Sequence, residues 1–430
     1  MGGGILQLII KGKMDQYLTG NPEHTFFKAV YRRHTNFSIE SIKQQVTNTG
    51  IGERHIKSTI SRSGDLLGNI MVEVKLDRGD AENISHDGTY LNWVNNTGHA
   101  FIKQCEIEIG GKVIDRHHSD WMDVYNEVYD INEQEFIGIN KHPGKRTYFK
   151  KGSRNIVSEV LKLYIPLYFW FCKNPGLYLP IIAITKHDIN INLITRSIEY
   201  LFNADGELSF SNNIPAEVDL WCDYVFLDQE EKRKFIKDKR AYLIEQVQRS
   251  ETDIKLINKI SFNHPVKELF WIVQSNIVKG EYGNGSSNID TLMNISGQEQ
   301  VNGNDYFNYQ SNTDGDKEVI FGYNSFESFR TAKLCLNGID RFYERDASYF
   351  RIVQPLNCKH KLPSKHIYLY SFSLNPSEFQ PSGSCNFSKI DDAELVLTSN
   401  QNYTNEKLIV FAINYNVLVV SNGMAGIVYN

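Results

Sequence analysis

One short run of the sequence carries side chains that could bind a metal ion. His117 and His118 lie between Asp115 and Asp120, and imidazole and carboxylate groups bind metals in some β-sandwich proteins. Adjacent side chains of a strand point to opposite faces, so these two histidines are poorly placed to chelate one ion. We therefore predict no metal site, and we assign no cofactor and no catalytic residue to the chain.

Other arrangements that could support catalysis are incomplete. The sequence contains no HExxH, GxSxG or GxxxxGK[ST] pattern, and the glycine-rich stretch Gly2 to Gly4 opens no strand-turn-helix unit. His187-Asp188 has no third partner at a recognisable spacing, and neither do His360 and His366. The six scattered cysteines include no CxxC pair, which is typical of reduced thiols rather than of a zinc site. The sequence thus disfavours common hydrolases and nucleotide-binding enzymes.

The length and the net charge of the chain further limit the class of protein to which it can belong. The 430 residues exceed the size at which one hydrophobic core stops growing, about 250 to 300 residues, so two domains are expected. A net charge of −5 provides no positive field for a nucleic-acid backbone. The longest strongly apolar stretch, Leu163 to Cys172, is about ten residues long, whereas a membrane span needs roughly 20. Because the N-terminus carries no secretory leader, we expect a protein that stays in the cytosol.

The dominant period of the apolar residues is two, which predicts an all-β fold. The run from Ile70 to Leu76 alternates in this way, as do the runs at 105–109 and 189–193. Near the end of the chain, LIVFAINYNVLVV is apolar with few breaks, which predicts a strand covered on both faces. Turn clusters such as Gly110-Gly111 separate these runs, as in sandwiches and barrels.

Two segments carry a helical pattern. Trp121, Val124, Tyr125 and Val128 mark one face of a short helix. The segment from Asp228 to Gln248 begins with a capping-box pattern and is predicted to be a second helix. Its basic residues are interleaved with Glu and Asp, so we interpret them as a solvated face rather than a phosphate site.

The two halves of the sequence resemble each other at two places. NPGLYLP at 174–180 and NPSEFQP at 375–381 share the same spacing from Asn-Pro to the next proline. Upstream of them, IEIGGKVIDR at 107–116 corresponds to LCLNGIDR at 334–341. Two pairs of motifs in the same order favour two copies of one β fold.

These features predict three segments and one insertion. We expect an N-terminal arm over 1–25, a first domain over 26–212 and a second domain over 213–430. The stretch 276–324 is dense in Asn, Gly, Ser and Asp and is expected to be a surface loop inserted in the second domain.

Several blocks of the sequence resemble one protein family. The opening block, GGGILQLIIKGKMDQYLTGNPEHTFFKAVYRRHTNF, closely resembles the start of the major capsid proteins of nucleocytoplasmic large DNA viruses. YIPLYFWFCKNPGLYLPIIAI, HPVKELFWIVQ, QPSGSCNFSKID and NYNVLVVSNGMAGIVYN resemble later blocks of that family, in the same order. The departures are the Asn-rich insertion and Asp346-Ala347 after Arg345, which bear on the virus group rather than on the family.

The resemblance implies both a fold and a function. The fold would be two tandem eight-stranded antiparallel jelly-roll sandwiches with short helices in the loops. The protein would be a structural major capsid protein, not an enzyme, that homotrimerises into pseudo-hexameric capsomers and tiles the icosahedral shell of a large DNA virus. It would be located in the virion after assembly in the host cytoplasm.

The resemblance also implies partners. These would be further copies of the chain in the homotrimer and in neighbouring capsomers, minor capsid and penton proteins, and inner membrane-associated proteins. No direct sequence-specific nucleic acid binding is expected. The N-terminal arm would lie at the inner side of the shell, and the insertion at its outer face.

Three other functions remain open on the residues alone. The first is a metalloenzyme that uses His117 and His118 with nearby carboxylates. The second is a carbohydrate-binding β-sandwich protein that presents exposed aromatic side chains, although this function gives no reason for two tandem copies. The third keeps the family but makes the chain a capsid-like scaffold or a minor capsid paralogue.

Overall fold

The computed structural model describes most of the chain. The described residues are 3–47, 54–76, 84–86, 91–94, 96–129, 161–197, 201–204, 208–210, 216–275, 292–293, 299–300, 306–307, 309, 327–399 and 406–429. The chain divides into two compact units, Met1–Phe37 and Ser38–Asn430.

The first unit contains two short helices, α1 (Gly3–Ile9) and α2 (Asp15–Thr19), and no residue of either helix is buried. Local bonds stabilise α2: Asp15 accepts a hydrogen bond from the Gly12 amide at 2.7 Å, and the Thr19 hydroxyl donates to the Asp15 carbonyl at 2.9 Å. The large apolar side chains that the structure describes in this unit are exposed, so these residues form no hydrophobic core of their own. None of the described helices of the chain is long and apolar enough to cross a membrane.

The first half of the second unit is built from strands with short helices between them. Its strands are β1 (Phe37–Gln44), β2 (Arg54–Thr59), β3 (Leu66–Leu76), β4 (Ile84–His86), β5 (Leu91–Trp93), β6 (Ile102–Ile109), β7 (Lys112–His118), β8 (Leu161–Pro166), β9 (Ile189–Thr195), β10 (Phe202–Ala204), β11 (Leu208–Phe210) and β12 (Ala216–Leu227). Its helices are α3 (Thr97–Phe101), α4 (Ser119–Val128) and α5 (Trp170–Lys173), with 3₁₀ turns at Pro175–Leu177 and Ile181–Ala183.

The second half repeats this plan. A connecting helix, α6 (Gln229–Lys237), leads into it. Its strands are β13 (Arg240–Asp253), β14 (Ile257–Lys259), β15 (Pro265–Ser275), β16 (Leu292–Met293), β17 (Glu299–Gln300), β18 (Thr331–Leu336), β19 (Ile339–Asp340), β20 (Arg345–Asp346), β21 (Tyr368–Ser371), β22 (Cys385–Asn386), β23 (Ala393–Thr398), β24 (Glu406–Ser421) and β25 (Met424–Ile427). A π-helical turn (Tyr349–Val353), α7 (Gln354–Asn357) and a 3₁₀ turn (Phe387–Lys389) complete it.

The main sheets of the two halves have the same strand order. In the first half the orders are β1-β12-β3-β8 and β2-β9-β6-β7. In the second half they are β13-β24-β15-β21 and β14-β23-β18-β19. If the main strands of each half are counted from one to eight, both halves read 1-8-3-6 and 2-7-4-5. Every pairing in these sheets for which a register is described is antiparallel. This is the jelly-roll arrangement, present twice.

The two repeated sequence motifs fall at equivalent places in the two halves. IEIGGKVIDR forms the hairpin of β6 and β7, and LCLNGIDR forms the hairpin of β18 and β19, so each joins main strands four and five. The Asn-Pro motifs follow β8 and β21, which are the sixth main strands. The topology therefore supports the duplication that the short motifs indicated.

The first half ends with strand β12, shortly before Asp228. This strand lies beyond the expected boundary at residues 212 and 213, yet it pairs with β3 over most of its length. The strand is thus the last main strand of the first half, and the chain passes into the second half through α6.

One helix prediction is wrong over half its length. The Asp228 side chain does cap α6, accepting a hydrogen bond from the Glu231 amide at 2.8 Å, but the helix ends at Lys237. From Arg240 the segment is strand β13, which pairs with β24 along its whole length. Pairing with a buried strand outweighs the local helical pattern at this point of the chain.

The period-two predictions are confirmed. Ile70, Val72, Val74 and Leu76 lie in one hydrophobic core, as do the apolar residues of β6 and β9. Strand β24 is covered on both faces: Ile409, Phe411 and Ile413 join the core of the first half, whereas its alternate residues join a second core. That second core lies within the second half. The sheet that contains β24 therefore belongs to both cores.

Candidate functional site, the contact between the two halves

The residues that were considered for metal binding form part of the contact between the halves. His117 is buried, its Nε2 lies 3.0 Å from Asp115 Oδ2, and its ring stacks on Phe169 at 4.9 Å between centroids. The other oxygen of Asp115 accepts a hydrogen bond from the Val247 amide of β13 at 3.0 Å. In the part of the chain that the structure describes, no group of three or more His, Cys, Asp or Glu side chains is placed to hold a metal ion. The arrangement joins β7 to β13.

Asp120 and His118 have separate environments. Asp120 Oδ2 accepts two hydrogen bonds from the Arg249 guanidinium, at 3.0 and 2.7 Å, and Arg249 also bonds Glu251 at 2.7 Å. Such a two-pronged contact fixes both position and angle. Burial lowers the pKa of His118 to about 4, so this imidazole is neutral at pH 7. The second polar contact between the halves thus reaches β13 at Arg249, two residues after Val247.

A cleft of about 320 Å³ lies between the halves. It is lined by residues of both Asn-Pro motifs, Asn174 from the first half and Pro376 from the second. At its base Glu245 bonds two lysines: Lys173 at 3.1 Å and the buried Lys267, which also donates to the Pro376 carbonyl at 2.9 Å.

The charges in this cleft neutralise one another. Burial alone would raise the pKa of Glu245, but the positive charges of Lys173 and Lys267 outweigh it and lower that pKa to about 2. Lys173 Nζ also lies 4.8 Å from the centre of the Tyr125 ring, a cation–π contact. This set of contacts is a polar clamp between the two halves.

His360, which had no recognisable partner in the sequence, has one in the fold. Its Nε2 lies 2.8 Å from Glu268 Oε1, and the Tyr129 hydroxyl donates to the other oxygen of Glu268 at 2.9 Å. Burial and the charge of Glu268 raise the pKa of Tyr129, so its hydroxyl keeps the donated proton. Tyr129 directly follows α4 of the first half, so this pair also spans the contact. His187 instead contacts the Ala425 carbonyl at 3.0 Å.

Aromatic side chains fill the apolar part of the contact. Trp121 of α4 lies 5.6 Å from Phe270 and 5.3 Å from Phe411, measured between ring centroids. These two phenylalanines lie on β15 and β24, so a first-half helix packs on the shared sheet. The abundance of Phe and Tyr reflects this packing in the described residues. The predicted helix over Trp121–Val128 is confirmed as α4.

The sequence missed most of this contact. Glu245, Lys267 and Glu268 are charged residues in strands, and nothing in their spacing shows that each meets a partner from far along the chain. The strand pattern at 265–275 carried one signal: Lys267 and Glu268 directly precede the apolar run 269–273, and charges buried in such a strand require partners.

Fold and contact together define the class: a tandem pair of jelly rolls that share a sheet and are joined by buried polar contacts. Comparison with known proteins identifies the family. Residues 25–228 match the family described as major capsid protein N-terminus, and residues 231–426 match the family described as large eukaryotic DNA virus major capsid protein. The chain belongs to this family of viral structural proteins.

Individual relatives agree with the assignment. The chain is 35% identical to the major capsid protein of Phaeocystis pouchetii virus and 34% identical to that of Paramecium bursaria Chlorella virus 1, in both cases over all of each chain. Among solved structures, a chain of the PBCV-1 virus capsid superposes with a TM-score of 0.76 at 29% identity, covering 94% of this chain and all of that one. The Faustovirus major capsid protein shares the fold, with a TM-score of 0.69 at 14% identity.

Proposed function

We propose that three copies of this chain form a capsomer with a pseudo-hexagonal outline that tiles the icosahedral shell of a large DNA virus. The observation that supports this most directly is the identical order of the main strands in the two halves. Three subunits of two similar barrels place six similar barrels around one axis, and such a unit can pack hexagonally in a flat facet.

The contact between the halves suits this role. A tile keeps its outline only if the two barrels of each subunit hold a fixed angle. The shared sheet, the Asp120–Arg249 pair and the clamp at Glu245 all fix that angle. The boundary between the two domains is best placed at Asp228, the capping residue directly before α6, instead of at residues 212 and 213.

The first compact unit, residues 1–37, which includes the N-terminal arm over 1–25, is the proposed contact to other shell components. Residues 1–37 contain five Lys and Arg and two Asp and Glu, a charge of +3, so the remaining residues carry −8 of the total of −5. This unit also exposes apolar side chains such as Leu8, Phe26 and Phe27. Exposed apolar groups beside positive charge suit binding to minor capsid, penton or inner membrane-associated proteins.

Deletion of residues 2–22 removes α1, α2 and exposed apolar side chains such as Leu8, and it tests the role of the arm. The second unit has its own cores, so the shortened chain should still fold and form trimers, whereas its assembly into larger shells should weaken. Unimpaired assembly of the shortened chain would remove the proposal for the arm.

The cellular setting follows from the same proposal: the chain is a major shell component, assembled in the host cytoplasm and located in the virion. Its abundance in purified virions separates this role from that of a scaffold or minor capsid paralogue.

Native mass tests the trimer. Light scattering on the purified full-length chain, at several concentrations, should give about three times 49.5 kDa, and that mass should persist on dilution. A species of 49.5 kDa at every concentration would contradict the proposed capsomer.

A further inference from the structure

One buried carboxylate accepts hydrogen bonds from three distant parts of the chain. Asp123 of α4 is fully buried. It accepts bonds from Asn96 Nδ2 at 2.6 Å, from the Tyr309 hydroxyl at 2.7 Å and from Lys365 Nζ at 2.5 Å. Burial and the charge of Asp123 raise the pKa of Tyr309 well above its usual value, so the Tyr309 hydroxyl stays a donor.

These four residues occupy equivalent connections of the two jelly rolls. Asn96 lies between main strands three and four of the first half, and Tyr309 lies between main strands three and four of the second. Asp123 and Lys365 lie between main strands five and six of their own halves. Residues from both pairs of equivalent connections thus meet at the Asp123 carboxylate.

Tyr309 belongs to a short buried segment within the Asn-rich insertion. Tyr306, Phe307 and Tyr309, which we call the strap, are each at most 5% exposed. The insertion was expected to be a surface loop, and most of it lies outside the described residues, but the strap is buried. Three aromatic residues within four positions of a stretch dense in Asn and Gly were the available sequence signal.

The strap contacts both halves. On the second half, Gln274 donates to the Tyr306 carbonyl and the Ser328 hydroxyl donates to the Tyr309 carbonyl at 2.9 Å. On the first half, the Arg196 guanidinium lies 4.4 Å from the centre of the Tyr306 ring.

The ring of Phe307 completes the contact with the first half. It meets the ring of buried His99 edge-on, at 6.4 Å between centroids. Burial lowers the pKa of His99 to about 3, so this contact is neutral at physiological pH.

A second strip of contacts runs beside the strap. The Lys361 amide donates to the Val128 carbonyl at 3.0 Å, and the Ser364 hydroxyl donates to Glu127 at 2.8 Å. The segment that carries Lys365 therefore lies along α4 of the first half.

We propose that the strap fixes the two jelly rolls against each other. Asp123 is the hydrogen-bond acceptor that holds the strap in its docked position. A buried carboxylate that loses donors is destabilised, so the strap is favoured in its docked position. This role of the strap rests on the proposed capsomer, in which the strap holds the angle between the two barrels of one subunit.

Hydrogen–deuterium exchange on the full chain tests this role of the strap. Tyr309→Phe removes the hydroxyl bond to Asp123 and keeps the ring. Amides of the strap peptide should then exchange about tenfold faster or more, and amides at the contact of β7 with β13 should also exchange faster. Amides of β18 and β23, inside the second sandwich, should not change.

The matched control is Tyr224→Phe. Tyr224 is also buried and donates to a carbonyl, that of Ser61, at 2.8 Å, but it lies within the first half. This variant should leave the exchange of the strap unchanged. Equal effects of the two variants on the strap, or unchanged contact amides in Tyr309→Phe, would overturn the proposal.

A second variant guards against loss of folding. Asp123→Asn keeps the size of the side chain and removes the charge, and it should also loosen the strap. Because exchange is read on single peptides, the result holds for any oligomer. A monomeric chain whose strap amides are protected from exchange would contradict the proposed capsomer but would agree with the proposed role of the strap.

Discussion

The side chains of Phe270 and Trp271 leave adjacent positions of β15 on opposite faces and enter different hydrophobic cores. Phe270 packs on Trp121 of the first half, with 5.6 Å between ring centroids. Trp271 packs on Phe350 of the second half, with 5.2 Å between ring centroids. One sheet thereby serves both sandwiches, and neither core is complete without it.

The shared sheet predicts that both halves unfold together. Phe270→Ala should lower the free energy of unfolding by about 3 to 5 kcal/mol, because it opens a cavity where the halves meet. Chemical denaturation, followed by fluorescence and circular dichroism, should show one shared transition at lower denaturant. Ile339→Ala, at a side chain 74% exposed, is the control and should change stability by about 0.5 kcal/mol or less. Two separate transitions, only one of them shifted by Phe270→Ala, would contradict the shared core.

The buried His99 predicts a specific loss of stability in acid. Its pKa is about 3 in the folded chain, whereas the ordinary pKa of a histidine side chain is 6.5. The unfolded chain therefore binds a proton below pH 6.5 that the folded chain does not, and stability falls as pH falls from 6.5 towards 3. The slope from this residue is about 1.4 kcal/mol per pH unit. His99→Gln, measured by denaturation at several pH values, should reduce the slope in that window. An unchanged slope would argue against a neutral buried His99.

The contacts of Glu245 in the cleft predict how much stability the chain loses when this carboxylate is removed. Glu245→Gln keeps the shape of the side chain but leaves Lys173 and the buried Lys267 without their shared negative charge. We expect a loss of about 2 kcal/mol or more in the free energy of unfolding. Glu217→Gln is the control: the Glu217 side chain is 71% exposed and pairs with Lys75 at the surface, so its loss should cost clearly less than that of Glu245. A loss no larger than that of the control would show that the clamp contributes nothing.

The turn between β6 and β7 predicts different effects at two neighbouring glycines. Both have positive φ, +59° at Gly110 and +82° at Gly111. A Cβ at Gly110 would lie 2.8 Å from the His187 ring, whereas one at Gly111 would have no atom within 4 Å.

Gly111→Ala should therefore cost about 1 kcal/mol from backbone strain alone, and Gly110→Ala distinctly more. Thermal unfolding of the two variants, compared in parallel, measures this order. A larger loss of stability in Gly111→Ala than in Gly110→Ala would show that the His187 ring does not lie beside Gly110.

Much of the fold was predictable because its strongest signals are local. Alternation from Ile70 to Leu76 specifies a half-buried strand, and the unbroken apolar run of β24 specifies a strand between two layers. The repeated hairpin motif, ending in Arg116 and in Arg341, indicated a duplication that the strand order now explains.

The contact between the halves was not predictable in the same way. Asp123 and Lys365 are far apart in sequence, and only the folded chain shows that they bond. The segment from Arg240 to Gln248 reads as a helix alone and becomes a strand because β24 lies beside it. Signals that depend on a distant partner are absent from any local window.

Electron microscopy of the purified full-length chain tests the central claim most directly. Class averages of single particles, viewed down the symmetry axis, should show a threefold particle with six similar lobes, one for each jelly roll. Particles with two lobes, or a closed assembly without a threefold axis, would contradict both the capsomer and the hexagonal tiling that accounts for the duplication.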